Sequence, residues 1–269
     1  MLREGSGEPL VLFHGILCSE RVWRHVVPLL TDRFEVIVPN ALGHRGGTPP
    51  TSRPTSIDHV IDDAERALDE LGLEKAHLAG NSMGGWVSLE LARRGRALSV
   101  CAISPAGVGE EGWAERDRAF DLLHTAIRDV RRGRRVLPLL SRSSRFRRWA
   151  MADVAVHGDR VTREEMIDAS DDTIGCEVGS EMIRPGFSLA PLDPAPCPVT
   201  LAWAGEDRLF PVAAYRERAQ QVVPGAAFLV LEDTGHIPMY DDPRLVADTI
   251  RAATKRSSSS SASLSSPGS

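Results

Sequence analysis

The run Ala79–Trp86, AGNSMGGW, places one serine among three glycines. A serine hydroxyl is a weak nucleophile that becomes useful when a turn presents it and a base activates it. Gly80 and Gly84 lie two residues either side of Ser82, where a sharp turn needs small neighbours. Such a turn also leaves the Met83 backbone N–H at the start of a helix, aimed at negative charge. The pattern is short, and an ordinary turn serine can have the same neighbours. Its meaning depends on the elements around it.

The base must come from elsewhere in the chain. Of the eight histidines, His236 follows an apolar run directly, in LEDTGHIPMY. Loops at the C-terminal ends of parallel strands are where ligands gather in α/β sheets. The base in turn needs a carboxylate to fix its tautomer and stabilise the imidazolium. Asp207, in AWAGEDRLFP, ends the preceding apolar run. Glu206 is adjacent and points elsewhere, and Asp241 is a further rival. Asp233 shares a loop with His236 and remains within reach, although loop carboxylates usually cap their own turn. Asp207 is the favoured acid.

Apolar runs and helical periodicities alternate around these residues. PLVLFHG, FEVIVPN, KAHLAGN, LSVCAIS, PVTLAWAGED and AAFLVLED read as buried strands. SERVWRHVVPLL, SIDHVIDDAERALDELGL, MGGWVSLELARRG, VAAYRERAQQVV and PRLVADTIRAAT read as helices. Ser82 falls between a strand and a helix, as the catalytic reading requires. The order predicts an α/β fold with a mostly parallel sheet covered on both faces.

The alternation stops near Gly107 and resumes near Ala190. Between them AERDRAFDLLHTAIRDVRR and TREEMIDASDDTIGCEV are helical and no strand is convincing. Residues 1–106 and 191–254 are thus expected to form the core and 107–190 a helical insertion. Residues 255–269 are a serine-rich tail expected to be disordered.

The bulk composition narrows the function class. The chain has 269 residues, 42% hydrophobic, enough for one sizeable core. A net charge of -5 argues against nucleic acid as a partner. Cys18, Cys101, Cys176 and Cys197 show no paired spacing and read as reduced thiols. The N-terminus lacks the apolar run of a signal peptide, and no stretch reaches the length of a membrane span. These features predict a cytoplasmic protein without stable membrane insertion, acting on a small molecule. The oligomeric state is left open.

Taken together, FHG after the first long strand, GNSMGG, GEDRLFP and TGHIPMYDDP in the order Ser82, Asp207, His236 resemble the α/β-hydrolase fold family. The resemblance covers nearly all of the chain except the tail. It implies a central sheet with an inserted helical cap. It also implies an oxyanion hole from the backbone N–H groups of Ile16 and Met83, with Leu17 as the alternative to Ile16. His14 is then structural, and no metal or organic cofactor is needed. Two departures stand out. About nine residues precede LVLFHG, so the family's first strand and most of its second are expected to be missing. Asn40 and Gly43-His44-Arg45 replace the Asp and Gly-His-Gly of many relatives, with His44 read as turn packing.

The implied reaction is cleavage of a small or medium-sized carboxylic ester, lactone or thioester through an acyl-enzyme on Ser82. The alternatives are a carbon–carbon bond hydrolase of the meta-cleavage type, a cofactor-free perhydrolase, and a non-catalytic ligand-binding protein. Epoxide hydrolases carry an aspartate where Ser82 stands. Trp113, His124, Trp149, Phe210 and Ile237 are expected to line the substrate pocket beside Met83. Arg128, Arg131, Arg132, Arg134, Arg135, Arg142, Arg145, Arg147 and Arg148 crowd the insertion and read as a solvated face.

Overall fold

Side chains along the strands alternate between two cores. Val11, Phe13, Ile37, Leu78, Val100 and Leu201 join one buried cluster. Leu10, Leu12, Val36, Val38, Ala79 and Cys101 join the other. A period of two puts successive residues on opposite faces, so a sheet apolar at every position is buried on both sides.

The structure, a computed structural model, describes residues 1–109, 113–184 and 188–262. Its strands are β1 (Leu2–Gly5), β2 (Glu8–Phe13), β3 (Phe34–Val38), β4 (Ala76–Asn81), β5 (Ala97–Ile103), β6 (Val199–Ala204) and β7 (Ala227–Leu231). They form one sheet in the order β1-β3-β2-β4-β5-β6-β7. Every pairing is parallel except that of β1 with β3. The expected loss of most of the second strand is thus corrected, since one antiparallel strand, β1, is present. Its sequence, LREG, carries little apolar signal and its residues are largely exposed. Backbone pairing with β3 makes it a strand, not burial.

Helices α1 (Ile57–Glu70) and α2 (Met83–Arg93) pack on the first face, with Val60, Ile61, Leu68, Val87 and Leu91 buried there. The segment read as one helix after Ser19 is two short turns, Glu20–Trp23 and Val27–Leu30, and it covers the other face. Among the described residues no strand lies between β5 and β6. That stretch contains α3 (Ala114–Gly133), α4 (Arg163–Gly175) and shorter helices. The chain closes with α5 (Val212–Val222) and α6 (Pro243–Ala262). Val246, Ala247 and Ile250 anchor α6 on the sheet. The helix extends into the serine-rich stretch assigned to the tail, and residues 263–269 of that tail lie outside the described residues. No helix among the described residues is long and apolar enough to cross a membrane.

The inserted helices are fastened to the sheet unit by two chemistries. Through α3, Ala119 and Leu123 meet the first core, and Ile127 meets Leu17. Through α4, the contacts are charged. Asp168 bonds Arg21 at 3.0 Å and Arg24 at 2.6 Å, and Ser19 Oγ donates to Asp172 at 2.6 Å.

Candidate active site

β4 ends at Asn81 and α2 begins at Met83, leaving Ser82 alone on the turn. Its φ of 55° and ψ of −116° lie outside the regions open to ordinary L-residues. The surrounding structure enforces this conformation. Ser82 N–H donates to Ile103 at 2.9 Å, and its carbonyl accepts from Trp86 and Ala106. Two glycines leave room for the turn. A Cβ on Gly80 would lie 2.2 Å from the Gly84 carbonyl oxygen, and one on Gly84 would lie 2.1 Å from that of Phe13. Strain held in place by packing at a single serine is a feature of functional sites.

His236 Nδ1 lies 2.8 Å from Asp207 Oδ2, and both side chains are buried. The other carboxylate oxygen of Asp207 accepts the N–H groups of Leu209 and Phe210, at 3.0 and 2.8 Å. Phe210 sets its ring edge-on to His236, with centroids 4.9 Å apart. The rival acids are engaged elsewhere. Asp233 meets His157 Nε2 at 2.7 Å. Asp241 accepts from Gly235, Val156 and His157 and so ties the histidine loop to the inserted segment. No hydrogen bond joins Ser82 to His236. Such bonds are often long in ligand-free sites and tighten in the substrate complex.

Asn81 has a specific place here, although its residue type gave no signal in the sequence. Its amide donates to the carbonyls of His236, at 2.9 Å, and Ile103, at 3.3 Å. His14 and His44 are buried and packed edge to face, 5.1 Å apart. The Ala41 N–H donates to His14 Nε2, so the ring's own proton sits at Nδ1, beside the Gly15 carbonyl. Burial lowers His14 to about 4, and burial with His14 nearby lowers His44 to about 3. Both are neutral packing groups at pH 7.

The model of the alpha/beta hydrolase family matches residues 10–249. The chain belongs to that family. Epoxide hydrolase EphH of Mycobacterium tuberculosis is 32% identical over 208 residues, covering 71% of this chain and 91% of that protein. An esterase from Thermogutta terrifontis superposes with a TM-score of 0.70 at 23% identity, covering 95% and 92% of the two chains. A meta-cleavage product hydrolase from Pseudomonas fluorescens gives 0.70 at 22% identity, over 94% and 93%. These two likenesses establish the fold and leave substrate open.

In this hydrolase a cavity of about 80 Å³ holds Ser82, Met83, Ile16 and Phe210 of the residues anticipated from sequence. The other anticipated pocket residues lie elsewhere. Trp113 packs on Tyr215, with ring centroids 4.5 Å apart. His124 bonds the Ile183 carbonyl at 2.9 Å. Ile237 belongs to the second core. Trp149 is 74% exposed and faces solvent beside Phe146, which corrects its placement in the pocket. Apolar spacing on a short helix marks a face without saying what that face meets. The cavity walls missed in sequence include Trp86, Arg116, Phe120, Leu123 and Tyr215. Arg116 gave no warning because an arginine in a first helical turn usually reads as solvated.

Proposed function

We propose that this chain is a serine hydrolase that cleaves a small or medium-sized carboxylic ester, lactone or thioester. The observation that carries the reading is Ser82, held at positive φ inside a cavity, with a buried Asp207–His236 pair on the neighbouring strand ends. Asp207 holds His236 through Nδ1 and leaves Nε2 free to face the nucleophile. His236 takes the Ser82 proton as Oγ attacks the carbonyl, then returns it to the leaving group. Water, deprotonated by the same ring, releases the acyl group. The backbone N–H groups of Ile16 and Met83 receive the oxyanion, each worth about 10²–10³ in rate. The inserted helices act as a cap over the cavity, and the core and cap boundaries fall near residues 107 and 190.

One relative is named for epoxide opening. That chemistry in this fold uses a carboxylate nucleophile at the elbow, and a serine there argues against it. The test is a panel of chromogenic esters, lactones, thioesters and dienoates, with fluorophosphonate labelling. Ester turnover and labelling that both vanish in Ser82→Ala support the reading. A wild-type protein that neither turns over any ester nor takes the label refutes it.

A further inference from the structure

Arg116, in the first turn of α3, is 5% exposed and lines the cavity that holds Ser82. A guanidinium carries five donors and stays charged. Its links to the protein are weak. Nη1 reaches the Gly109 carbonyl at 3.4 Å. Nε lies 4.0 Å from Asp117 Oδ1, and the group sits 5.7 Å from the centre of the Phe120 ring. Nε and Nη2 have no hydrogen-bond partner among the described residues. Tyr215 lines the same cavity, and its hydroxyl is also buried without a partner among the described residues. Burial, with the Asp207 and Glu115 carboxylates nearby, holds that phenol well above its ordinary range, so it remains a donor.

A buried cation with unsatisfied donors is a costly arrangement, and buried polar groups are nearly always paired. Two donor side chains buried in the wall of one cavity are accounted for by an acceptor that enters it and draws them inward. A planar, bidentate oxyanion matches the guanidinium fork. A neutral carbonyl supplies one weak acceptor and no opposing charge, and the Asp117 carboxylate is at the 4.0 Å limit of an ion pair. The rest of the wall is mostly apolar, with Trp86, Leu123 and Ile183, and a second cation, Arg184, stands on it too. The geometry points to a substrate that carries a second, non-reacting carboxylate, bound by Arg116 and Tyr215 while Ser82 attacks elsewhere on the molecule. The inference rests on this cavity being the substrate site, but its test needs no turnover.

The experiment is calorimetric titration of the Ser82→Ala protein with butyrate and with butyramide, which share size and differ in charge. Butyrate binds at least tenfold more tightly if the inference holds. Arg116→Gln in that background removes the difference, Arg116→Lys restores part of it, and Tyr215→Phe weakens butyrate about threefold to tenfold. Thermal melts separate loss of binding from loss of fold. A butyrate preference that survives Arg116→Gln overturns the assignment, as does equal or undetectable binding of the two ligands. The two readings fail separately. Ser82-dependent ester turnover with equal binding leaves the hydrolase and removes the anion site. Arg116-dependent butyrate binding without turnover of any ester does the reverse.

Discussion

The side-chain amide of Asn81 donates a 2.9 Å hydrogen bond to the main-chain carbonyl of His236, 155 residues further on. The residue beside the proposed nucleophile thus holds the backbone of the proposed base. On the other side, the Ile237 N–H donates to Val154 at 2.8 Å. The histidine is fixed from both flanks, by the elbow and by the inserted segment. Asn81→Ala is expected to lower kcat by about tenfold to a hundredfold, the scale of a small misplacement of a catalytic group. KM should change by less than about threefold. Steady-state kinetics on one soluble ester separates the two, and a rise in KM alone would contradict the positioning role.

Asp207 and Asp233 differ sharply in what they hold. Asp207→Asn should cut kcat by about 10⁴ by favouring the wrong histidine tautomer, with the thermal midpoint nearly unchanged. Asp233→Asn, which loosens only the contact with His157, should stay within about threefold of wild type. The reverse ranking would move the acid to Asp233.

Glycines in the fold differ in what a methyl group would meet. Gly80→Ala places a Cβ 2.2 Å from a backbone oxygen and should cost more than about 3 kcal/mol, or prevent folding. Gly72 has φ +70° with nothing within 4 Å. Gly72→Ala should cost only the left-handed conformation, about 1 kcal/mol. Urea unfolding midpoints of the two variants test the contrast.

His14 and His44 make folding sensitive to acid. Burial holds both below the ordinary histidine value, at about 4 and about 3. The unfolded chain therefore binds more protons than the native chain below about pH 6.5. Stability is full above that pH and is lost as pH falls toward 4, with each ring contributing on the order of 2 kcal/mol of loss by pH 5. Urea unfolding between pH 7.5 and 5 reads this directly. A flat profile would mean that the rings take up protons without penalty.

Much of this was legible in the residues, and the limits are physical. Five strands announce themselves because both faces are buried, and β7 is as apolar although it is only partly covered. Ser82, Asp207 and His236 stand out because each follows such a run. β1 does not, since its residues are largely exposed and its sequence carries little apolar signal. Arg116 and Asn81 are invisible for another reason. The partners of Asn81 lie across the fold, and neither residue type reveals whether it points to solvent or inward. Trp149 fails in the opposite sense, as an aromatic that spacing suggests is sheltered and the fold leaves bare.

The inserted helices are fastened through α4 carboxylates held by Arg21 and Arg24 and through aliphatic contacts on α3. Dissolved salt screens the first kind of joint, and chilling weakens the second. The surroundings therefore select which joint of the insertion yields first, and of these two helices only α3 lines the cavity that holds Ser82. A brine would loosen α4 and a cold dilute buffer α3, so one polypeptide comes apart at different seams in the two.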